Sequence, residues 1–113
     1  MNKTVRVKDY SDVAKFLNCV QQFNRQAIEE TGESEYYAIH RADWEYHFGT
    51  HEHKITIFGD PYDLGAFMIN CFTQKIWQGG CSDNALPVWD GTYDPNRSSE
   101  EELMKDLEEA ENQ

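Results

Sequence analysis

The sequence has few basic residues, little cysteine and no long apolar run, and each shortage excludes a class of protein. No stretch approaches the roughly 18 apolar residues that a membrane-spanning helix needs, and the first ten residues lack the hydrophobic centre of a signal peptide. Ten Lys and Arg stand against 21 Asp and Glu, a net charge of −11. Nucleic acid and anionic membranes would repel such a chain. We therefore expect a cytoplasmic protein that binds neither directly.

Motifs for catalysis or cofactor binding are missing as well. The three cysteines are an odd set without C-x-x-C spacing, which favours reduced thiols, with Cys19 and Cys71 packed inward. Cys81 follows Gly79-Gly80 at an expected helix end, where the helix dipole disfavours the thiolate that a nucleophile requires. The glycines form neither a dinucleotide-binding nor a phosphate-loop motif. We predict no catalytic residue, no cofactor and no enzymatic activity.

The stretch His53–Gly80 contains the densest apolar pattern and the clearest start and stop signals. Ile55 and Ile57 alternate with polar residues, as in a half-buried strand. Asp60-Pro61 is typical of a helix start, and Gly79-Gly80 of a helix end. Between them apolar residues recur at helical spacing: Leu64, Met68, Ile69, Phe72 and Ile76. The pattern predicts a buried helix of roughly five turns.

The preceding residues supply the elements that cover this helix. Thr4–Lys8 alternates like a short strand, and a helix of about 20 residues follows, capped by Ser11 and ended by Thr31-Gly32. Glu35–Phe48 alternates in two aromatic segments. These form one bent strand or two strands, since Arg41–Asp43 fits a bulge or a turn, and a hairpin turn at residues 49–52 follows.

This order predicts an α+β fold, a two-layer sandwich. We expect an antiparallel sheet of 3–5 strands with two main helices on one face, in a ferredoxin-like or split βαβ arrangement. Residues 1–83 form the core domain. Residues 84–113 form an acidic C-terminal segment, irregular at first, with a candidate edge strand at Leu86–Trp89. A short acidic helix ends it, with a capping box at Ser99 and Glu102.

Acidic residues are concentrated towards the C-terminus. Residues 1–83 carry 8 Lys/Arg and 12 Asp/Glu, whereas residues 84–113 carry 2 and 9, which gives net charges of −4 and −7. A tail of this kind often serves only for solubility. Aromatic residues that interleave with the acids favour a second interpretation, a surface that binds a basic protein. Its candidate residues are Asp83, Trp89, Asp90, Tyr93, Asp94, Glu100, Glu101, Glu102 and Asp106, with the two aromatics as anchors.

In size, acidity and lack of catalytic motifs, the chain resembles phage and mobile-element proteins that inhibit host nucleases, including anti-CRISPR and antirestriction proteins. The likeness is one of composition and not of aligned residues. It implies a non-enzymatic inhibitor in the host cytoplasm, whose carboxylates mimic phosphates and block a nucleic-acid-binding protein or nuclease.

Two alternative hypotheses come from other residues. His47, His51 and His53 lie within seven residues of sequence and could supply the three imidazoles of a metal-dependent enzyme, although polar positions next to a turn are the simpler interpretation. An open aromatic sheet face around Tyr37, Trp44 and Tyr46 would instead indicate a regulatory domain that binds a small molecule.

Overall fold

The structure, a computed structural model, describes residues 1–72 and 86–97. The expected C-terminal helix and Cys81 lie outside these residues. The elements are β1 (Asn2–Val7), α1 (Tyr10–Thr31), β2 (Ile39–His47), β3 (Glu52–Gly59) and α2 (Pro61–Cys71). In this part of the chain, neither helix has the length and apolar character that crossing a bilayer requires.

The three strands form an antiparallel sheet in the order β1-β3-β2, and the two helices pack together against it. Val5, Val7, Ile55 and Ile57 are fully buried in the same cluster as side chains from α1 and α2. One face of the sheet therefore meets both helices, because side chains alternate between faces along each strand. This confirms the α+β two-layer fold, with β3 inserted between β1 and β2 as in a split βαβ unit.

The register divides the sheet residues into two sets. Residues directly opposite each other share a face, and Val5, Ile55 and Trp44 form one such row. We call the side that carries this row the helix face. The other side, the open face, carries mainly polar side chains: Thr4, Arg6, Arg41, Asp43, Glu45, His47, Glu52, Lys54, Thr56 and Phe58.

Helix α1 begins earlier than the sequence indicated. Asp9 is its N-cap, with extended backbone angles and no side-chain capping bond, so the prediction that Ser11 caps the helix is wrong. The predicted C-terminal end of α1 is confirmed, because Gly32 adopts a left-handed conformation with φ 73° and donates its N–H to the carbonyl of Ile28. Over 22 residues the helix buries Val13, Phe16 and Val20, among others, against the sheet and α2.

Helix α2 begins as predicted and ends early. The Asp60 carboxylate accepts the Tyr62 N–H at 2.9 Å. The helix ends at Cys71 and not at the glycine pair, since Phe72 is extended. A continued helix would need the Asn70 carbonyl for the next turn, and that carbonyl instead accepts the Asp94 N–H at 2.9 Å. The backbone of Asp94 thus bonds a carbonyl at the C-terminal end of α2.

The long aromatic segment forms one strand. β2 runs from Ile39 to His47, with a register irregularity between Ile39 and Arg41, so the bulge lies slightly before its expected position. The hairpin turn that follows is also confirmed, and His51 in it has φ 55°. Tyr37 precedes the strand and is not part of the sheet.

Residues 86–97 are integrated into the core. The backbone of Arg6 accepts from Trp89 and donates to Pro87, which makes an isolated parallel bridge at the outer edge of β1. Residues 86–89 therefore lie at the sheet edge as predicted, but they form a single bridge at Val88 and not a strand. Trp89 is 3% exposed and its ring meets Phe16, with centroids 5.2 Å apart.

We expect Trp89→Ala to lower the free energy of unfolding by about 3–5 kcal/mol, because it leaves a cavity in the shared core. Tyr37→Ala, at a side chain 57% exposed, is the control and should change stability by no more than about 0.5 kcal/mol. Urea denaturation measures both. Equal effects of the two substitutions would contradict the core role of residues 86–97.

Gly59→Ala should also destabilise the protein, by about 1–3 kcal/mol. A Cβ at this position would lie 2.6 Å from the backbone carbonyl oxygen of Ala38, which cannot rotate away. Gly49→Ala is the matched control, since a Cβ there meets no atom within 4 Å. Thermal unfolding of the two variants compares them, and a Gly59→Ala protein as stable as Gly49→Ala would contradict the close approach.

Candidate interaction surfaces

Trp89 and Tyr93, the expected aromatic anchors, face the core. The Trp89 indole is buried and donates to the Thr92 carbonyl at 2.7 Å, so it is not available on the surface and its anchor role is not supported. Tyr93 is half-buried beside Phe67, with ring centroids 6.0 Å apart. Burial raises the pKa of the Tyr93 hydroxyl to about 12. These aromatics interleave with acids because they fix the segment to the domain.

The acids between these aromatics are exposed but have local partners. The Asp90 carboxylate accepts from both the N–H and the hydroxyl of Thr92, and these bonds lower its pKa. Asp94 accepts the Asn96 N–H. Both carboxylates shape turns and still face solvent. The other acidic candidates lie outside the described residues: Asp83, Glu100, Glu101, Glu102 and Asp106.

A second concentration of acid lies at one end of the domain, where α1 ends and α2 begins. We call it the acidic end, and it comprises Glu29, Glu30, Glu33, Glu35, Asp60 and Asp63. No Lys or Arg occurs between Arg25 and Arg41, or between Lys54 and Lys75. Five of the six acids are exposed, and Asp63 is half-buried. This end therefore presents a coherent negative surface that is held by two helix termini.

Tyr36 connects the two halves of the acidic end, and its pKa responds to the negative charges there. Its hydroxyl donates to the Asp63 carboxylate at 2.5 Å, and its N–H donates to the Glu33 carbonyl. The bond to Asp63 raises the pKa of Tyr36 to about 12, with further contributions from burial and from the charges of Asp63, Asp60 and Glu33. Tyr36 thus joins the loop after α1 to the first turn of α2 through its bond to Asp63.

Exposed aromatic rings cluster at the opposite end of α1, around His53. Trp44 and Tyr46 lie beside His53 on the helix face, with ring centroids 5.7 and 4.8 Å from its ring. Tyr10, at the start of α1, meets Trp44 at 5.5 Å. The Trp44 indole N–H donates to His53 Nδ1 at 3.0 Å, which places the proton of neutral His53 on Nε2. This aromatic cluster is partly solvent-exposed.

The histidine hypothesis fails on strand register. His47 is opposite Glu52, whereas Tyr46 is opposite His53, so His47 and His53 lie on different faces of the sheet. His51 is in the turn, and its Nδ1 lies 3.2 Å from the Tyr46 hydroxyl. His47 pairs with Glu45 at 2.7 Å. Within residues 1–72 and 86–97, no three His, Cys, Asp or Glu side chains are arranged to hold a metal ion.

Of the three aromatic residues of the small-molecule hypothesis, Trp44 and Tyr46 lie near each other and Tyr37 lies apart from them. Trp44 and Tyr46 lie on the helix face and not on the open face, and Tyr37 lies in the loop at the other end of β2. A depression of about 420 Å³ is lined by polar side chains of α1 and by none of these rings. Its lining residues are Asn18, Gln21, Gln22, Arg25 and Gln26.

The two described cysteines are structural. Cys71 is buried and Cys19 is half-buried, which confirms that they face inward, and both are free thiols. Burial raises the pKa of each thiol above its ordinary value. Such thiols carry little of the thiolate that nucleophilic chemistry requires.

The acidic end was missed by sequence reasoning because its parts had been given other roles. Asp60 was assigned to a helix start, and Glu35 to the beginning of the segment that runs to Phe48. The signal that could have found it was the pair of long intervals without Lys or Arg around both helix ends. Their proximity, however, depends on the sheet order that brings the end of α1 to the start of α2.

Comparison of the chain with protein-family models, with curated proteins and with solved structures finds no match. The geometry and charges of its own residues therefore carry the functional argument.

We expect Asp63→Asn to lower the pKa of Tyr36 from about 12 towards its ordinary value of 10, since the substitution removes a charged acceptor. Because the pKa of Tyr36 is higher in the folded state than in the unfolded state, its contribution to the free energy of unfolding depends on pH. Below pH 10 the folded and unfolded states both keep the proton, and above it the unfolded state loses the proton first, so the contribution of Tyr36 is lost as pH rises towards 12.

NMR titration of the Tyr36 ring carbon measures this shift. Asp43→Asn is the control, because Asp43 is paired with Arg41 on the open face and should leave Tyr36 unchanged. An unchanged Tyr36 pKa in Asp63→Asn would contradict the hydrogen bond that defines the acidic end.

Proposed function

We propose that this protein is a non-enzymatic binding protein that recognises a basic protein surface. Its partner class is a nucleic-acid-binding protein or nuclease, whose groove the carboxylates occupy in place of phosphates. The observation that carries the proposal is the acidic end, where the bond between Tyr36 and Asp63 joins the acidic loop after α1 to the acidic start of α2. The net charge of −11 supports the same choice of partner.

Electrostatics favours a rigid acidic surface over a solvating tail. The backbone that carries these acids belongs to two helix ends and to a loop bonded to α2 through Tyr36, so a partner gains their attraction without ordering that backbone first. Two exposed rings flank them, since Tyr37 is 57% and Tyr62 44% exposed. Tyrosine is common at the centres of protein interfaces. The acidic end thus offers both the charge and the aromatic area that binding a basic groove requires.

Asp90 and Asp94 extend the exposed negative charge to the segment beside α2. Their carboxylates remain exposed although each caps a local turn. Because Asp94 also donates its N–H to Asn70, this segment is held in place. We include both in the proposed binding surface, together with the acidic end, and exclude Trp89 and Tyr93 from it.

The test compares two variants with the same net charge. The first is the triple substitution Glu29→Gln, Glu33→Gln and Glu35→Gln, and the second is Asn18→Lys, Gln21→Lys and Gln22→Lys. Each raises the net charge by three, and all six side chains are exposed. We expect the glutamine triple to weaken partner binding about tenfold, or about 1.4 kcal/mol, and to flatten its salt dependence. The lysine triple should weaken binding much less.

The partner for this measurement is captured from a bacterial lysate on immobilised protein, eluted with a salt gradient and then purified. Addition of duplex DNA should displace it, because the DNA and the acidic end compete for one groove. Binding that duplex DNA leaves intact would contradict the phosphate-mimic mechanism. Equal losses in the two triple variants would show that only overall charge matters.

A further inference from the structure

The two edges of the sheet differ in the contacts that other parts of the described chain make with them. At the β1 edge, the backbone groups of Arg6 are bonded to Pro87 and Trp89. At the β2 edge, most side chains of the strand are exposed, including Arg41, Asp43, Trp44, Glu45 and Tyr46. An exposed edge strand presents a row of backbone donors and acceptors that can pair with another strand.

The register identifies which backbone groups of β2 face outward. Gly59 donates its N–H to the Met1 carbonyl, so odd-numbered residues of β3 bond to β1 and even-numbered ones to β2. The backbone N–H and C=O groups of the β2 residues opposite Thr56, Lys54 and Glu52 therefore point towards β3. Those of the residues that alternate with them point away from the sheet, at its edge: Ala42, Trp44 and Tyr46. The bonds of Arg6 to the outer segment agree with this alternation.

The beginning of β2 shows how this fold closes an edge. Ile39 donates its N–H to the Asn24 side-chain oxygen at 2.8 Å and accepts from the Asn24 amide nitrogen at 3.1 Å. One asparagine of α1 thus replaces a neighbouring strand at that position. Within the described part of the chain, no comparable partner bonds the outward N–H and C=O groups of Ala42, Trp44 and Tyr46. Among the residues that the structure describes, six backbone groups on this edge therefore have no partner.

Side chains next to these groups define the chemistry of an incoming strand. On the helix face, Trp44 and Tyr46 are 45% and 37% exposed and offer apolar area. On the open face, the Glu45 side chain is 71% exposed and its Oε1 lies 2.7 Å from His47 Nε2. The charge of Asp43 is balanced by Arg41, which also lies over the Phe58 ring, so Glu45 carries the remaining negative charge beside this edge. A strand added here would alternate apolar residues over the rings with cationic residues beside Glu45.

We propose that the edge of β2 from Ala42 to Tyr46 is a docking site for an extended segment of a basic partner protein, which adds a strand to the sheet. A second copy of this chain fits less well. Symmetric pairing centred on Trp44 would use all six open groups but would place Asp43 of each copy opposite Glu45 of the other. Like charges directly opposite destabilise a strand pair. The site is distinct from the acidic end and is tested separately.

The first test needs no ligand. Hydrogen exchange of the free protein, followed by NMR, should show an alternation along β2. The outward amides of Ala42, Trp44 and Tyr46 should exchange fast, and the inward amides of Asp43, Glu45 and His47 slowly, because only the latter are bonded within the sheet. Protection of all six amides that increases with protein concentration would identify a second copy as the occupant and overturn the proposal.

The second test uses a synthetic peptide that alternates lysine with valine, and a control peptide that alternates glutamate with valine. The lysine peptide should bind and slow exchange of the three outward amides about tenfold or more, and the glutamate peptide should do neither. Ala42→Pro removes one outward donor and should weaken binding of the lysine peptide about tenfold, whereas Ala42→Val keeps the donor and should bind as the native protein does.

Three results would overturn the proposal. One is equal binding of the two peptides, and another is protection by the lysine peptide at the acidic end but not along β2. The third is an unchanged affinity in Ala42→Pro. The glutamine triple at the acidic end should leave the outward-amide protection intact, so failure of this proposal and failure of the proposed function give different results.

Discussion

The pairing of β3 with both of its neighbours is the constraint on which the other features depend. Its register with β1 and β2 sends Ile55 and Ile57 to the helix face, and the apolar faces of both helices close over them. The same register separates His47 from His53 and places Trp44 and Tyr46 beside His53. A shift by one residue would reverse every one of these assignments, since side chains alternate along a strand.

The C-terminal part of the described chain completes the core. A sheet of three strands and two helices leaves the outer edge of β1, the ring of Phe16 and the end of α2 without cover, and residues 86–97 supply all three contacts. Trp89 fills the space beside Phe16, and Asp94 bonds the last turn of α2. The acids of this segment are consequently held at fixed positions next to the domain, although its aromatics are used for packing.

The domain presents different chemistry at its two ends. A 22-residue helix separates the acidic end from the aromatic cluster by about 33 Å, because each residue adds about 1.5 Å. Negative charge is concentrated where α1 ends and α2 begins. Exposed rings lie where α1 begins, near the turn between β2 and β3. A partner that contacts both regions must span the length of the domain. If one partner made both contacts, the first contact would hold it close to the second region, and the overall affinity would exceed that of either contact alone.

The sequence by itself determined the element types, the N-cap of α2 and the C-terminal end of α1. Hydrophobic alternation at Ile55 and Ile57, the Asp60-Pro61 helix start and the Gly32 helix end are local patterns, and each depends on neighbouring residues alone. Only the tertiary structure decided that Trp89 is a core residue, that α2 ends at Cys71, and that acids from two distant segments meet around Tyr36. These features depend on contacts between residues far apart in sequence, whose spacing leaves no periodic signal in the chain.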